Sequence, residues 1–330
     1  MCGIAGIFSA GQALDSKAVL ARMQNSIRHR GPDDSGTFID SPHAALAHVR
    51  LAIFDPQHGQ QPLTSHDGRY TVVFNGAIYN HPELRRELIG RGHPIATYCD
   101  TEVLLYAFKE WGEACLERLN SMFAFCIWDR HSSTAFLARD RIGIKPLYYH
   151  ISKGQRFVVF GSEIKALLAS GYYRPQVDEE ALGDYINLQF VMRDQTLFRG
   201  VHKLEPGFCA TVCFRDGRAV LDERRYWDIP TEIDESLEHD FCVDRLTELV
   251  EESIGLMLRS DVPIGAHLSG GLDSSAIVSI AKKALDSSDL QTYTGYFAES
   301  PEFSELDYAR IVAERSGANL NAVLINGDDF

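Results

Sequence analysis

Residues 1–8, Met1-Cys2-Gly3-Ile4-Ala5-Gly6-Ile7-Phe8, place a thiol directly after the initiator and follow it with small and apolar residues. Initiator methionine is commonly removed before a residue as small as cysteine, which leaves Cys2 with a free α-amine beside its own thiol. An α-amine titrates near ~7.7–8.0, so much of it is a base at neutral pH. It can take the thiol proton and later hand it to a leaving amine, the self-contained pair of an N-terminal nucleophile. Taken alone, the same residues also read as the start of a short buried strand.

Outward from Cys2, the first 230 residues read as many short strands with a few helices. Residues 4–8, 70–74, 123–128, 134–138, 147–150 and 156–160 carry the β-branched and aromatic pattern of strands. Asp15 can cap a helix whose buried face is Val19, Leu20, Met23 and Ile27. Pro82 suits the first turn of a helix bearing Leu84 and Leu88. Asp100 or Thr101 caps another, with Leu104, Leu105, Phe108 and Trp111 inward and Gly112 at its end. Residues 179–189 read as a helix carrying Leu182, Tyr185 and Ile186.

Three polar features of this region suit amide chemistry. Asn75-Gly76 follows a strand: a side-chain amide and a backbone N–H aimed at a tetrahedral oxyanion stabilise it, each donor by about 3 kcal/mol. The same dipeptide is also the commonest tight hairpin turn. Arg50 opens the apolar run of residues 50–54 and can grip an α-carboxylate bidentately. Asp100 can hold an α-ammonium, or serve as a helix cap.

The pattern changes near residue 230. Residues 229–238 (IPTEIDESLE) are acidic and carry a proline, which reads as a linker. Beyond it a long helix fits 241–258, strands fit 262–268, 292–297 and 319–325, and helices fit 273–285 and 304–315. Strands and helices in strict turn imply right-handed crossovers and a parallel sheet. Between the first of these strands and its helix lies Ser269-Gly270-Gly271-Leu272-Asp273-Ser274-Ser275. Glycines let backbone approach an anion, and the helix N-terminus supplies positive potential, so the string reads as a phosphate cradle. It is not a Walker A loop, since Gly271-Leu272 rather than Lys-Ser/Thr follows Gly265 and Gly270, and it does not have the GxGxxG spacing.

With 45% hydrophobic and 24% charged residues, the chain is an ordinary globular one. Its formal charge of −14 argues against a nucleic-acid backbone as partner. A local cradle can still hold a nucleotide. No apolar run reaches the roughly eighteen residues of a membrane span, and the N-terminus lacks the pattern of a signal peptide. The seven cysteines are odd in number and irregular in spacing, with no metal-site pattern, which fits a reduced cytoplasmic compartment.

With both ends read, the chain resembles the glutamine-hydrolysing asparagine synthetase family. The resemblance rests on MCGIAGIF, RHRGPDD (28–34), RLAIFD (50–55), Gln61-Pro62-Leu63, FNGAIYN (74–80), Cys99-Asp100-Thr101-Glu102, ARDRIGIKPLYY (138–149), GSEIKALL (161–168) and LSGGLDSS (268–275). It implies an α+β N-terminal-nucleophile (αββα) glutaminase domain over residues 1–230. An incomplete α/β parallel-sheet domain of the ATP-pyrophosphatase type would follow over 231–330. Cys2 would be the nucleophile, and Asn75 with Gly76 the oxyanion hole. Arg50, Asp100 and the backbone of Leu51, Ala52, Ile53 and Phe54 would bind glutamine, together with Asn75, Gly76 and Ala77. Leu268, Ser269, Gly270, Gly271, Asp273 and Ser274 would hold ATP, with Gly295 passing the adenine. ATP and Mg²⁺ are implied, with no metal ligand set of the protein's own. The implied reaction adenylates the aspartate β-carboxylate, and ammonia from glutamine displaces AMP.

Two departures stand out. Family members usually carry Glu where this chain has Ala77, which puts glutamine contacts there in question. The family's second synthetase loop, SGEGSDE, does not occur before Phe330, so the chain is expected to be a fragment or one piece of a split synthetase. A homodimer or a second chain would then complete the synthetase domain. Two other activities fit the same modules: amidation of a different carboxylate, and a glutaminase-only or regulatory half.

Overall fold

The structure, a computed structural model, describes residues 1–11, 16–285, 290–297 and 303–329. Asp15, the expected helix cap, lies outside the described residues. The chain divides into two compact units, Met1–Pro230 and Thr231–Phe330.

The first unit is built on two six-stranded sheets. One contains β1 (Gly3–Ser9), β2 (Asp34–Asp40), β3 (Ala44–Arg50), β8 (Tyr148–Ile151), β9 (Phe157–Gly161) and β10 (Val201–Lys203), in the order β10-β8-β9-β1-β3-β2. The other contains β4 (Leu63–Thr64), β5 (Tyr70–Ile78), β6 (Ser121–Asp129), β7 (Thr134–Arg139), β11 (Phe208–Arg215) and β12 (Arg218–Arg225), in the order β12-β11-β7-β6-β5-β4. The named strands of both sheets pair antiparallel.

Three apolar clusters hold these layers. Phe8, Trp128 and Phe160 stack between the sheets, with ring centroids 5.5–5.7 Å apart. Helices α1 (Ser16–Ser26) and α5 (Ile164–Ser170) cover the outer face of the first sheet through Leu20, Met23 and Leu167. Helices α2 (His81–Gly90), α3 (Asp100–Trp111) and α4 (Cys115–Arg118) cover the second through Leu88, Leu104 and Leu116. Helix, sheet, sheet, helix is therefore the layer order, and β1, which carries Cys2 at its head, lies centrally with both faces buried.

Several local expectations are corrected. The strand expected to stop at Asn75-Gly76 runs on to Ile78, with Asn75 opposite Ala124 and Gly76 opposite Phe123. Nine residues of pairing with β6 outweigh the turn preference of the dipeptide. Gly76 answers a close approach instead: a Cβ there would sit 2.3 Å from the Met122 carbonyl oxygen. Neither Asp100 nor Thr101 caps α3; Cys99 occupies that position with no side-chain cap, and both others lie inside the helix, buried. Strands β2, β3, β11 and β12 carried no clear signal. β3 (AALAHVR) is rich in alanine, a poor strand former, and is a strand because neighbours bury every residue of it. The expected helix α6 (Glu179–Leu188) forms, yet Tyr185 and Ile186 are exposed and only Ala181 is buried.

The second unit contains α7 (His239–Met257), β13 (Gly265–His267), α8 (Leu272–Leu285), β14 (Gln291–Tyr296), α9 (Leu306–Ser316) and β15 (Asn319–Leu324). The three strands form a parallel sheet in the order β13-β14-β15. Its core joins Ile254, Leu268, Val278, Leu290 and Ala309. Among the described residues no helix is long and apolar enough to cross a membrane, and all seven cysteines are free.

Candidate active site

The loop leaving β3 meets the head of β1. The Leu51 amide donates to Cys2 Sγ at 3.3 Å, and the thiol faces the Leu51 carbonyl at 3.5 Å. Burial, the largest influence, pushes the Cys2 thiol above its usual range. The backbone of Cys2 is fastened as well. Arg30 Nε donates to the Cys2 carbonyl at 2.9 Å, while its Nη1 pairs with Glu163 at 2.9 Å. Glu163 also takes Lys165 at 2.8 Å and His29 at 2.9 Å.

Strand β5 supplies the other wall. Its alternate amides point away from β6, and two of them are taken by side chains: Phe74 N–H by Gln61 Oε1 at 2.7 Å and Ile78 N–H by Asp100 Oδ2 at 3.1 Å. Gly76 lies between them, so by the period of the strand its N–H points the same way. No acceptor among the described residues takes it. The side chain of Asn75 is 1% exposed, and neither its Oδ1 nor its Nδ2 has a hydrogen-bond partner. Leaving a buried amide unpaired costs about 1–3 kcal/mol, so its presence here calls for an explanation.

Cys2, Arg50, Leu51, Ile53, Phe54, Gly76 and Asp100 line one cavity, joined by Gly59, Gln61, Phe74, Cys99 and Thr101. Ala52, Asn75 and Ala77 are not among its walls; Ala52 N–H donates to Asp33 at 2.8 Å, and Asn75 and Ala77 are buried in β5. The cavity measures about 20 Å³, room for one water, so a larger guest requires its walls to move. Arg50 is buried, and its guanidinium donates to three carbonyls of the following loop: Phe54 at 3.1 Å, Asp55 at 2.8 Å and Pro56 at 2.9 Å. Two of its five N–H groups are left for a ligand. Asp100 is buried, and desolvation raises its carboxyl above the usual carboxylate range. A cleft of about 480 Å³ lined by Gln24, Arg28, Asp33 and Asp34 is larger, but holds neither cysteine nor histidine.

In the second unit, the Ser269–Ser274 loop joins β13 to α8. Gly270 adopts φ +85°, and a Cβ there would come within 2.4 Å of Tyr308, so only glycine fits against α9. Ser269 Oγ accepts from the Gly271 amide at 3.2 Å and contacts Ser274 Oγ at 3.1 Å, which preforms the turn. Asp273 is exposed on the first turn of α8. At Gly295 the close approach is made by Ile325 Cδ1, 2.4 Å from where a Cβ would sit.

The comparisons with known proteins match this division. The glutamine amidotransferase domain family matches residues 1–227, and the asparagine synthase family matches residues 245–330. The chain belongs to the glutamine amidotransferase domain family. Asparagine synthetase [glutamine-hydrolyzing] 1 of Bacillus subtilis is 38% identical over the whole of this chain and 51% of its own length. Asparagine synthetase [glutamine-hydrolyzing] 3 of the same organism is 37% identical over 92% of this chain and 49% of its own length. The chain therefore spans about half the length of these curated relatives. Among solved structures, a glutamine phosphoribosylpyrophosphate amidotransferase from B. subtilis covers 97% of this chain and 65% of its own, with a TM-score of 0.50 at 18% identity. That likeness is one of fold.

Other residues of the site carry no sequence signal of their own. Gln61, Gly59 and Thr101 line the cavity, and Arg30 and Glu163 brace Cys2. All but Gly59 lie within or beside quoted strings, but nothing in their immediate neighbours marks them as site residues.

Proposed function

We propose that the first unit hydrolyses glutamine at Cys2 and that the ammonia serves an ATP-dependent amidation of aspartate. The observation that carries the reading is the pair of unused donors on β5, the Gly76 N–H beside the cavity and the buried Asn75 amide. Once Met1 is removed, the Cys2 α-amine takes the thiol proton as Sγ attacks the glutamine side-chain carbonyl. The carbonyl π electrons move to oxygen, and Gly76 N–H and Asn75 Nδ2 hold the oxyanion. Collapse expels ammonia, protonated by the α-ammonium, and leaves a γ-glutamyl thioester. Water then adds to the thioester, glutamate departs and the thiol regains its proton. Arg50 holds the substrate α-carboxylate and Asp100 its α-ammonium, with the backbone of 51–54 alongside.

In the second unit, Leu268 and the Ser269–Ser274 loop suit a polyphosphate, because glycine backbone and the α8 N-terminus face solvent there. No group of three His, Cys, Asp or Glu side chains among the described residues is arranged to hold a metal ion. Mg²⁺ would therefore rest on the phosphates of ATP with Asp273 as the neighbouring carboxylate, and would neutralise their charge. This chemistry belongs in the cytoplasm, where the cysteines stay reduced.

The test is ammonia release from glutamine by this chain, with intact-mass analysis showing Met1 absent. A folded preparation that begins at Cys2 and releases no ammonia would sink the glutaminase reading. Aspartate-dependent pyrophosphate release from ATP, measured on a polypeptide as long as the relatives, tests the synthetase half separately.

A further inference from the structure

From Phe74 onward, the edge of β5 that faces away from β6 has no strand beside it among the described residues. Strand β4 pairs with β5 only at Leu63 opposite Val72 and Thr64 opposite Thr71. Carried on by two residues, that register puts Gln61 opposite Phe74, and there a side chain stands in for a strand. The Phe74 amide donates to Gln61 Oε1 at 2.7 Å, and Gln61 Nε2 donates to Thr101 Oγ1 at 3.0 Å. A backbone N–H can meet only the oxygen of a side-chain amide, so these two bonds fix which way the Gln61 side chain points. On the far side of Gly76, the Ile78 amide donates to Asp100 Oδ2 at 3.1 Å. Asp100 and Thr101 are consecutive residues in the first turn of α3. That turn therefore holds β5 on both sides of Gly76, once directly and once through Gln61.

The base of this clamp is rigid. Val103, Leu104 and Leu105 are fully buried in the cluster that packs α3 on the second sheet. Glu102 ties down the segment ahead of the helix, accepting from the amides of Ala96 at 3.2 Å and Thr97 at 2.7 Å and from the Thr97 hydroxyl at 2.6 Å. Gln61 is backed by β2, where a Cβ at Gly36 would lie 2.1 Å from the Gln61 carbonyl oxygen. Gln61, Asp100 and Thr101 are all buried, so solvent does not compete for their bonds. Asn75 follows Phe74 directly, and Gly76 follows Asn75, so a shift of the strand at Phe74 moves both proposed oxyanion donors. Such donors must be held within about 0.5 Å of the productive geometry. Asp100 has a substrate charge to bind in the steps above, whereas Gln61 and Thr101 have no role there.

We propose that Gln61 is a positioning residue of the glutaminase site: anchored on Thr101 in the first turn of α3, it fixes the Phe74 amide and so aims the Asn75 amide and the Gly76 N–H that follow it. The inference rests on the glutaminase reading. It separates two functions within one cavity. Arg50 and Asp100 bind charges that glutamine carries in the ground state and the transition state alike. The donors on β5 meet a charge that exists only once Sγ has attacked, so their aim governs kcat rather than KM.

The experiment measures kcat and KM for ammonia release from glutamine in the full chain. It compares wild type, Gln61→Met, Thr101→Val, Thr101→Ser and the double variant Gln61→Met/Thr101→Val. Met keeps the length of Gln without its amide, and Val keeps the shape of Thr without its hydroxyl. Gln61→Met is expected to lower kcat about tenfold or more, with KM within about twofold of wild type. Thr101→Val should lower kcat in the same way by a smaller factor, and Thr101→Ser should recover it. The double variant should be no worse than Gln61→Met, because both residues act through one chain of bonds. Iodoacetamide alkylates Cys2 by displacement at a saturated carbon and forms no oxyanion. Its labelling rate, followed on the Cys2 peptide, is therefore expected to stay within about twofold of wild type in every variant. An unchanged kcat in Gln61→Met, a loss carried by KM alone, or a parallel fall in labelling overturns the inference. If Gln61→Met does not fold, Thr101→Val against Thr101→Ser carries the same test with the same outcomes. A wild-type chain that begins at Cys2 and releases no ammonia defeats the glutaminase reading itself, and the positioning role falls with it.

Discussion

The two units solve the same burial problem to different extents. In Met1–Pro230 two sheets stack face to face, and helices cover both outer faces, so Phe8, Phe125, Trp128 and Phe160 are all fully buried. In Thr231–Phe330 the sheet is covered on one face. Along β14, Thr292 and Thr294 are buried while Tyr293 is 44% exposed, and on β15 Val323 is 53% exposed. The seven buried apolar residues of that core include Ala281, Ala309 and Ala313, which have little surface to bury. Parallel sheets normally have both faces covered, so cohesion in the second unit is modest. The lesson concerns chemistry as well as stability. A buried, unpaired amide such as Asn75 is tolerated only where a surplus of burial surrounds it. The glycine-serine loop in the second unit instead satisfies its own turn with serine hydroxyls.

If the glutaminase unit is self-sufficient, the largest effect comes from its nucleophile. Cys2→Ala is expected to remove ammonia release by at least about 10³-fold. It should leave the thermal transition of the first unit in place, and measurable ammonia release by a Cys2→Ala chain would break the assignment of chemistry to this unit.

Next in size is Asn75→Ala. One oxyanion donor is worth about 10²-fold in kcat, so kcat should drop by that order with little change in KM. The variant should melt no lower than wild type, because neither amide atom has a partner to lose. A lowered melting temperature with normal kcat would mean the amide is structural.

Core truncations then sharpen the contrast in packing. Phe160→Ala should destabilise the first unit by about 3–5 kcal/mol, whereas Leu290→Ala should cost the second only about 2 kcal/mol, the low end for its class. Denaturation followed by a probe in each unit would show this, and equal losses would erase the difference drawn above.

The smallest effect is a pH dependence confined to the first unit. His48, fully buried, donates from Nε2 to the Phe74 carbonyl, and burial pushes it down to about 3. Its neutral form is required in the folded state, so its contribution is present above the unfolded value near 6.5. It is lost progressively as pH falls from there toward 3. From pH 7 to pH 5 the expected loss is about 2 kcal/mol. In His48→Asn, with no proton to take up, that slope should flatten; an unchanged acid profile would assign the loss elsewhere.

Much of this protein could be read along the chain. The strand at Cys2, the helix bearing Leu104 and Leu105, and the alternation of strands and helices after residue 230 are written in short-range periodicity. Short-range signals misled where pairing across the fold competes with them. Asn75-Gly76 has the chemistry of a turn and lies in a strand, because β6 offers hydrogen bonds to the whole segment. Strand β3 has weak propensity and is a strand because β1 and β2 flank it. Arg50 was readable as a carboxylate clamp, but only the fold shows three loop carbonyls already on its guanidinium.

What the sequence by itself determined was the set of chemical groups: a thiol beside the terminal amine, an Asn-Gly pair, and a glycine-serine loop ahead of a helix. These are local facts, since residue type and immediate neighbours suffice to state them. Which groups meet and which amides go unpaired were decided by the tertiary structure. Those properties depend on solvent exclusion and on hydrogen bonds between residues such as Cys2 and Leu51, or Phe123 and Asp140, that are far apart in the chain. Burial and partner availability belong to the packed layers as a whole, and no single stretch of sequence carries them.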